Sequence, residues 1–262
     1  MINLTGRTDV PVPEDVLRKL AAVCRDAGVD CLVIGAAARD LVIHSQQGKP
    51  PVRATKDIDI AVAVREDDQF QELGRRLNRR GRSPHKFTVL GIEVDVVPFG
   101  GNETDSSVTF TDGAVFDATG IVEAHSTPVL VRMPQGTEVQ VASPAALTAL
   151  KILAWSERHA DNPKDAVDLG TILTALSESP FDDEVWVDDE ALEVTDADIV
   201  AAASYHYAQI AARPFTHVDG QKVLDVLGDP PRRRLLLRQM RTAMADDLLE
   251  AYARGFASGL AR

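Results

Sequence analysis

The sequence predicts an α+β chain, with strands and helices mixed over residues 1–142 and a helical domain over residues 143–262. Three observations carry this reading. Asp57-Ile58-Asp59-Ile60-Ala61-Val62-Ala63-Val64 alternates with period two, as a strand does. Val16, Leu17, Leu20, Val23 and Cys24 recur at helical spacing between Pro13 and Gly28. Beyond Ser143-Pro144, a cap and a first-turn proline, long helical stretches replace the short strand signals.

In chain order, a helix over 13–27 leads to a buried strand Cys31–Ile34 that ends at Gly35, and a second helix runs from Ala36 to Ile43. Gln46 to Pro51 reads as a loop. After the 57–64 strand, Asp67–Arg80 reads as a helix, and Phe87–Leu90 and Ile92–Val97 as strands broken by Pro98 to Asn102. Weaker strand signals lie at Val129–Val131 and Glu138–Val141. Helices are expected over 145–159, 164–176, 196–212 and 232–258.

Composition removes several classes. No apolar run approaches a membrane span and the N-terminus lacks a basic-then-apolar leader, so a cytoplasmic protein without membrane contact is expected. Cys24 and Cys31 are too few for a disulfide scaffold and read as small buried residues. Aromatic content of 5% speaks against a stacking platform for single-stranded bases. The six histidines show no ligand spacing.

The net charge of −12 is unevenly spread. Arg75, Arg76, Arg79, Arg80, Arg82 and Lys86 follow one another with no acid between them, a stripe able to meet RNA. The plainer account is a solvated helix end, where cations suit the dipole. From Asp182 to Asp198 there are nine acids and no base.

The chemistry concentrates at Asp57 and Asp59. Side chains at i and i+2 of a strand share a face, so these carboxylates lie together while Ile58 and Ile60 face the core. Adjacent carboxylates repel unless a cation sits between them, and such oxygens suit Mg²⁺ or Mn²⁺. Asp95 stands opposite the apolar set Ile92, Val94 and Val96, and it becomes a third carboxylate if the two strands are neighbours. Upstream, Gly35-Ala36 opens a helix whose free N–H groups can meet phosphate, and Arg39 is either a phosphate contact or the partner of Asp40.

Strand, glycine turn, helix, hydrophobic-Asp-hydrophobic-Asp and a later Asp-bearing strand together resemble the DNA polymerase β-like nucleotidyltransferase superfamily. Lys151-Ile152-Leu153-Ala154-Trp155-Ser156-Glu157-Arg158 and Lys164-Asp165-Ala166-Val167-Asp168-Leu169 resemble its AbiEii/MenT-type group, which includes type IV toxin–antitoxin nucleotidyltransferases. The resemblance spans residues 30–175. It implies a mixed sheet flanked by helices and a magnesium-dependent transfer of a nucleoside monophosphate from an NTP. Asp57, Asp59 and Asp95 are then metal ligands, with Asp95 the base, and Lys151 is a catalytic contact to the triphosphate. Gly35, Ala36, Arg39, Arg158 and Asp168 complete the nucleotide site, Asp168 orienting Lys151 or the base. Ala36 departs from the usual Gly or Ser, and the stretch from Gly35 to Asp57 is longer than the compact motif.

An RNA or tRNA acceptor is favoured by the arginine stripe, and the toxin branch implies an antitoxin partner. The alternatives are a protein side chain or a small molecule such as an aminoglycoside as acceptor, and a non-catalytic partner-binding protein that retains the fold.

Overall fold

A computed structural model describes residues 1–50, 57–81, 83–160 and 162–262. It divides into two compact units, Met1–Ser143 and Pro144–Arg262.

The first unit contains β1 (Ile2–Asn3), α1 (Glu14–Asp26), β2 (Asp30–Ile34), α2 (Gly35–Arg39), a π-helical turn (Asp40–His44), α3 (Ser45–Gln47) and β3 (Asp57–Val64). There follow α4 (Asp67–Arg76), β4 (Asn78–Arg79), β5 (Lys86–Val89), β6 (Ile92–Gly100), β7 (Ser107–Thr109), β8 (Val115–Asp117), α5 (Ile121–Ser126), β9 (Val129–Arg132) and β10 (Glu138–Val141). Eight strands form one mixed sheet in the order β1-β9-β10-β2-β3-β6-β5-β4, and β7–β8 is a separate hairpin. The expected fold class, a mixed sheet flanked by helices with a helical region after it, is the one observed.

Alternation along β3 decides its orientation. Ile58, Ile60 and Val62 are buried, while Asp57 and Asp59 on the opposite face are partly open. Alternation in β5 is equally clean: Phe87 and Val89 are buried and Lys86 and Thr88 are not. Burying Phe87 with Phe70 and Leu73 of α4 anchors that helix on the apolar face of the sheet.

Several sequence expectations need correction. The helix from Asp67 ends at Arg76, because Leu77 turns extended and inward and Asn78–Arg79 then pair with β5 as an edge strand. Arg79 and Arg80 therefore lie outside any helical turn. The sixth strand runs through Pro98 to Gly100. Proline is tolerated there because β5 pairs with β6 only as far as Asp95, leaving that side of Pro98 without a neighbouring strand. Gln46 and Gln47 are helical, and the chain turns at Gly48, whose φ is +64°; Pro51 and Arg82 lie outside the described residues. Cys24 is buried but Cys31 only partly so, and both thiols are free.

The second unit is helical: α6 (Pro144–Arg158), α7 (Lys164–Ala175), α8 (Asp182–Val185), α9 (Asp189–Val194), α10 (Ile199–Ala212), α11 (His217–Gly228), α12 (Pro230–Met240) and α13 (Ala245–Leu260). Gly255 and Gly259, one turn apart, let α13 close on α10: a Cβ at Gly255 would stand 2.2 Å from the Tyr205 carbonyl oxygen, and one at Gly259 2.5 Å from that of Gln209. The single helix expected over 232–258 is two, because Arg241 and Met244 adopt left-handed φ of +54° and +56° and break it. Part of the acidic stretch is capping: Asp188 accepts from the Ala191 N–H, and Asp198 from those of Val200 and Ala201. No described helix is long and apolar enough to cross a membrane.

Candidate active site

Register builds the site. Parallel pairing of β3 with β6 sets Asp57 beside Glu93 and Asp59 beside Asp95. Asp57, Asp59 and Asp95 therefore leave the sheet on one face, each partly buried, and offer carboxylate oxygens that all lie within 4.8 Å of one another. At that separation each pair of charges repels by about 3 kcal/mol for an effective dielectric constant of about 20. A divalent cation relieves the repulsion, and three hard oxygen donors match magnesium or manganese in kind. These residues fit such a metal.

Gly35 closes one wall. Antiparallel pairing of β2 with β3 sets Ile34 opposite Asp59, and the chain then turns at Gly35 with φ +68°. A Cβ there would meet Asp59 Oδ2 at 2.2 Å. Both the left-handed backbone and the closeness of the carboxylate demand glycine. Gly35 and Ala36 start α2, in whose first turn the N–H groups have no intrahelical carbonyl to reach. Arg39 follows one turn on, beside Asp40. It is buried, and its guanidinium donates through Nε (3.0 Å) and Nη2 (2.6 Å) to Asp40 Oδ1.

The basic stripe is split by the sheet. Lys86 is the cross-strand partner of Asp95, and its Nζ donates to Asp95 Oδ2 at 2.9 Å and Oδ1 at 3.2 Å. Arg80, whose N–H bonds the Lys86 carbonyl, forms an ion pair with Glu93 on the same face. Arg79 pairs with Phe87, so it leaves from the opposite face, where it lines a shallow cleft with Gln71, Gly74, Arg75 and Thr111. Arg75 and Arg76 both pair with Glu72. Among the described residues, the stripe that looks continuous in sequence thus lies on two faces, with four of its cations paired to Glu72, Glu93 and Asp95.

The second unit holds a different cluster. Lys151 is buried in α6, and its Nζ donates to Asp165 Oδ1 (2.9 Å) and Asp168 Oδ2 (2.7 Å) of α7. Arg158, seven residues on, reaches Asp165 through Nε (2.6 Å) and Nη2 (3.0 Å). Burial alone would raise the Asp165 pKa, but the charge of Lys151 and the Arg158 hydrogen bond overcome it and hold the group at about 2. Sequence reasoning gave roles to Lys151, Arg158 and Asp168 but none to Asp165, which joins Lys151 to Arg158. Its signal was present in Lys-Asp-x-x-Asp, since positions i and i+3 share a helix face.

No curated protein matches the chain. Among solved structures, the solution structure of the antibiotic-resistance factor ANT(2'')-Ia is 15% identical, covering 75% of this chain and 93% of that one with a TM-score of 0.37. The crystal structure of ANT(2'')-Ia in complex with adenylyl-2''-tobramycin is also 15% identical, covering 74% of this chain and 97% of that one, again with a TM-score of 0.37. The family described as nucleotidyl transferase AbiEii toxin, type IV TA system, matches residues 47–262, from just before β3 to Arg262, and the chain belongs to this family of nucleotidyltransferases.

Proposed function

We propose that this nucleotidyltransferase moves a nucleoside monophosphate from an NTP to a hydroxyl of RNA, a tRNA 3′ end in the favoured case, using magnesium or manganese at Asp57, Asp59 and Asp95. The observation that carries the reading is the convergence of these three carboxylates within 4.8 Å beside the Gly35 turn. Bound divalent ions supply Lewis-acid activation of the acceptor hydroxyl and charge neutralisation of the departing pyrophosphate.

This chain's residues do the rest. Asp95 takes the proton of the attacking hydroxyl. The hydroxyl oxygen bonds the α-phosphorus as the bond from that phosphorus to the bridging oxygen breaks, and pyrophosphate carries away the electron pair. Gly35, lacking a Cβ, lets phosphate approach the N–H of Ala36. We extend to Lys151, with Asp168 orienting it, the triphosphate role that the resemblance implies. Asp165 and Asp168 take two of its donors, and a third N–H remains. Lys86 and Arg80 extend the active face of the sheet away from the triad and supply the positive charge for the acceptor backbone. Family membership adds a cognate antitoxin as partner, and use of NTP and RNA places the reaction in the cytoplasm.

Incubation with each α-labelled NTP, Mg²⁺ and total RNA tests the reading. Label is expected in RNA, and loss of roughly 10²- to 10³-fold or more is expected in Asp57→Ala and Asp59→Ala at unchanged circular dichroism. Label in protein or in an added aminoglycoside would overturn the acceptor assignment. Undiminished transfer by the variants would overturn the site.

A further inference from the structure

Lys86 carries an inference of its own, which rests on the metal reading of the triad. Its ammonium is the cross-strand neighbour of Asp95 and engages both oxygens of that carboxylate, at 2.9 and 3.2 Å. Asp95 is the one member of the triad that this lysine reaches, and it is also the one supplied by the second strand. We propose that Lys86 is a positioning residue that serves as the resident counter-ion of Asp95 and competes with the divalent metal for it, so that loading the metal requires the lysine to let go.

Two features support an exchangeable contact. The lysine side chain is 45% exposed and that of Asp95 21%, so water can take over the ammonium as it leaves. Lysine offers a compact charge on a flexible stem, whereas a guanidinium would grip the carboxylate through a rigid fork of two parallel N–H donors. In the competition, Lys86 holds Asp95 in place before the metal arrives and lowers the metal's apparent affinity. Once displaced, the ammonium stays on the active face, where a phosphate can take it.

Mn²⁺ titration of the full chain without nucleotide, followed by the loss of the free Mn²⁺ electron paramagnetic resonance signal, tests this apart from activity. Lys86→Met is expected to bind Mn²⁺ roughly threefold to tenfold more tightly than the parent, and Lys86→Arg more weakly. In an Asp95→Asn background, Lys86→Met should change nothing. Equal or weaker Mn²⁺ binding by Lys86→Met, or an unchanged gain in the Asp95→Asn background, overturns the proposal. Lys86→Gln provides the same comparison should the methionine variant misfold. A parent chain that binds no Mn²⁺, or an Asp57→Asn variant that binds it equally well, is a different result: it removes the metal reading itself.

Discussion

Two clusters of acids in this chain meet opposite fates. In the first unit Asp57, Asp59 and Asp95 converge on one face and stand partly open, with Lys86 on Asp95. In the second, Asp165 and Asp168 are met by Lys151 and Arg158 and the acids are sealed from water. The contrast follows from the elements that carry them. Two strands in parallel register must present Asp59 and Asp95 side by side whether or not a counter-charge is present. Two packed helices can choose residues a turn apart, so each acid meets a base. A buried cluster of paired charges stabilises its surroundings only while complete, and an open one of converging carboxylates is poised for a ligand.

The largest stability effect is expected where the balance is complete. Lys151→Met removes the ammonium that both buried acids accept from, and should cost about 3–5 kcal/mol in chemical denaturation. A loss under 1 kcal/mol would mean that the second cluster is as open as the first. Gly35→Ala sharpens the other side of the comparison. With φ +68° and a Cβ aimed at Asp59, it should lower stability by about 1–2 kcal/mol and transfer by roughly tenfold to a hundredfold, read from the same labelling assay. Parent-like transfer would show that Asp59 does not need its present position.

A further effect, confined to acid, concerns pH. The folded Asp165 pKa of about 2 lies below its ordinary 3.8, so the folded state binds this proton less readily than the unfolded chain. Its contribution, about 2 kcal/mol, is present above the ordinary value and is lost as pH falls through the folded one. Denaturation measured from pH 6 down to about pH 2 should show this slope in the parent and a shallower one in Asp165→Asn. Identical slopes would remove the claim.

What the sequence made legible was periodic. Asp57–Val64 declared its strand and the shared face of its acids, and Asp95 stood out against Ile92, Val94 and Val96. Pairing was harder to read: nothing local says that Lys86 faces Asp95 or that Arg79 and Arg80 leave opposite faces of an edge strand. A run of arginines looks alike on a helix and on a strand until Leu77 is seen to turn inward. The break at Arg241–Met244 was hidden for another reason, since left-handed arginine and methionine carry no compositional mark. The Gly35 turn, legible as a glycine before a helix, falls outside the residues matched by the family, yet geometry ties it to Asp59.

The direct test of the central claim is diffraction from crystals grown with Mn²⁺ and a non-hydrolysable NTP, with anomalous data collected at the manganese edge. The account predicts a peak within about 2.0–2.5 Å of oxygens from Asp57, Asp59 and Asp95, next to the triphosphate. A manganese and nucleotide bound elsewhere, with the three carboxylates bare, would contradict it.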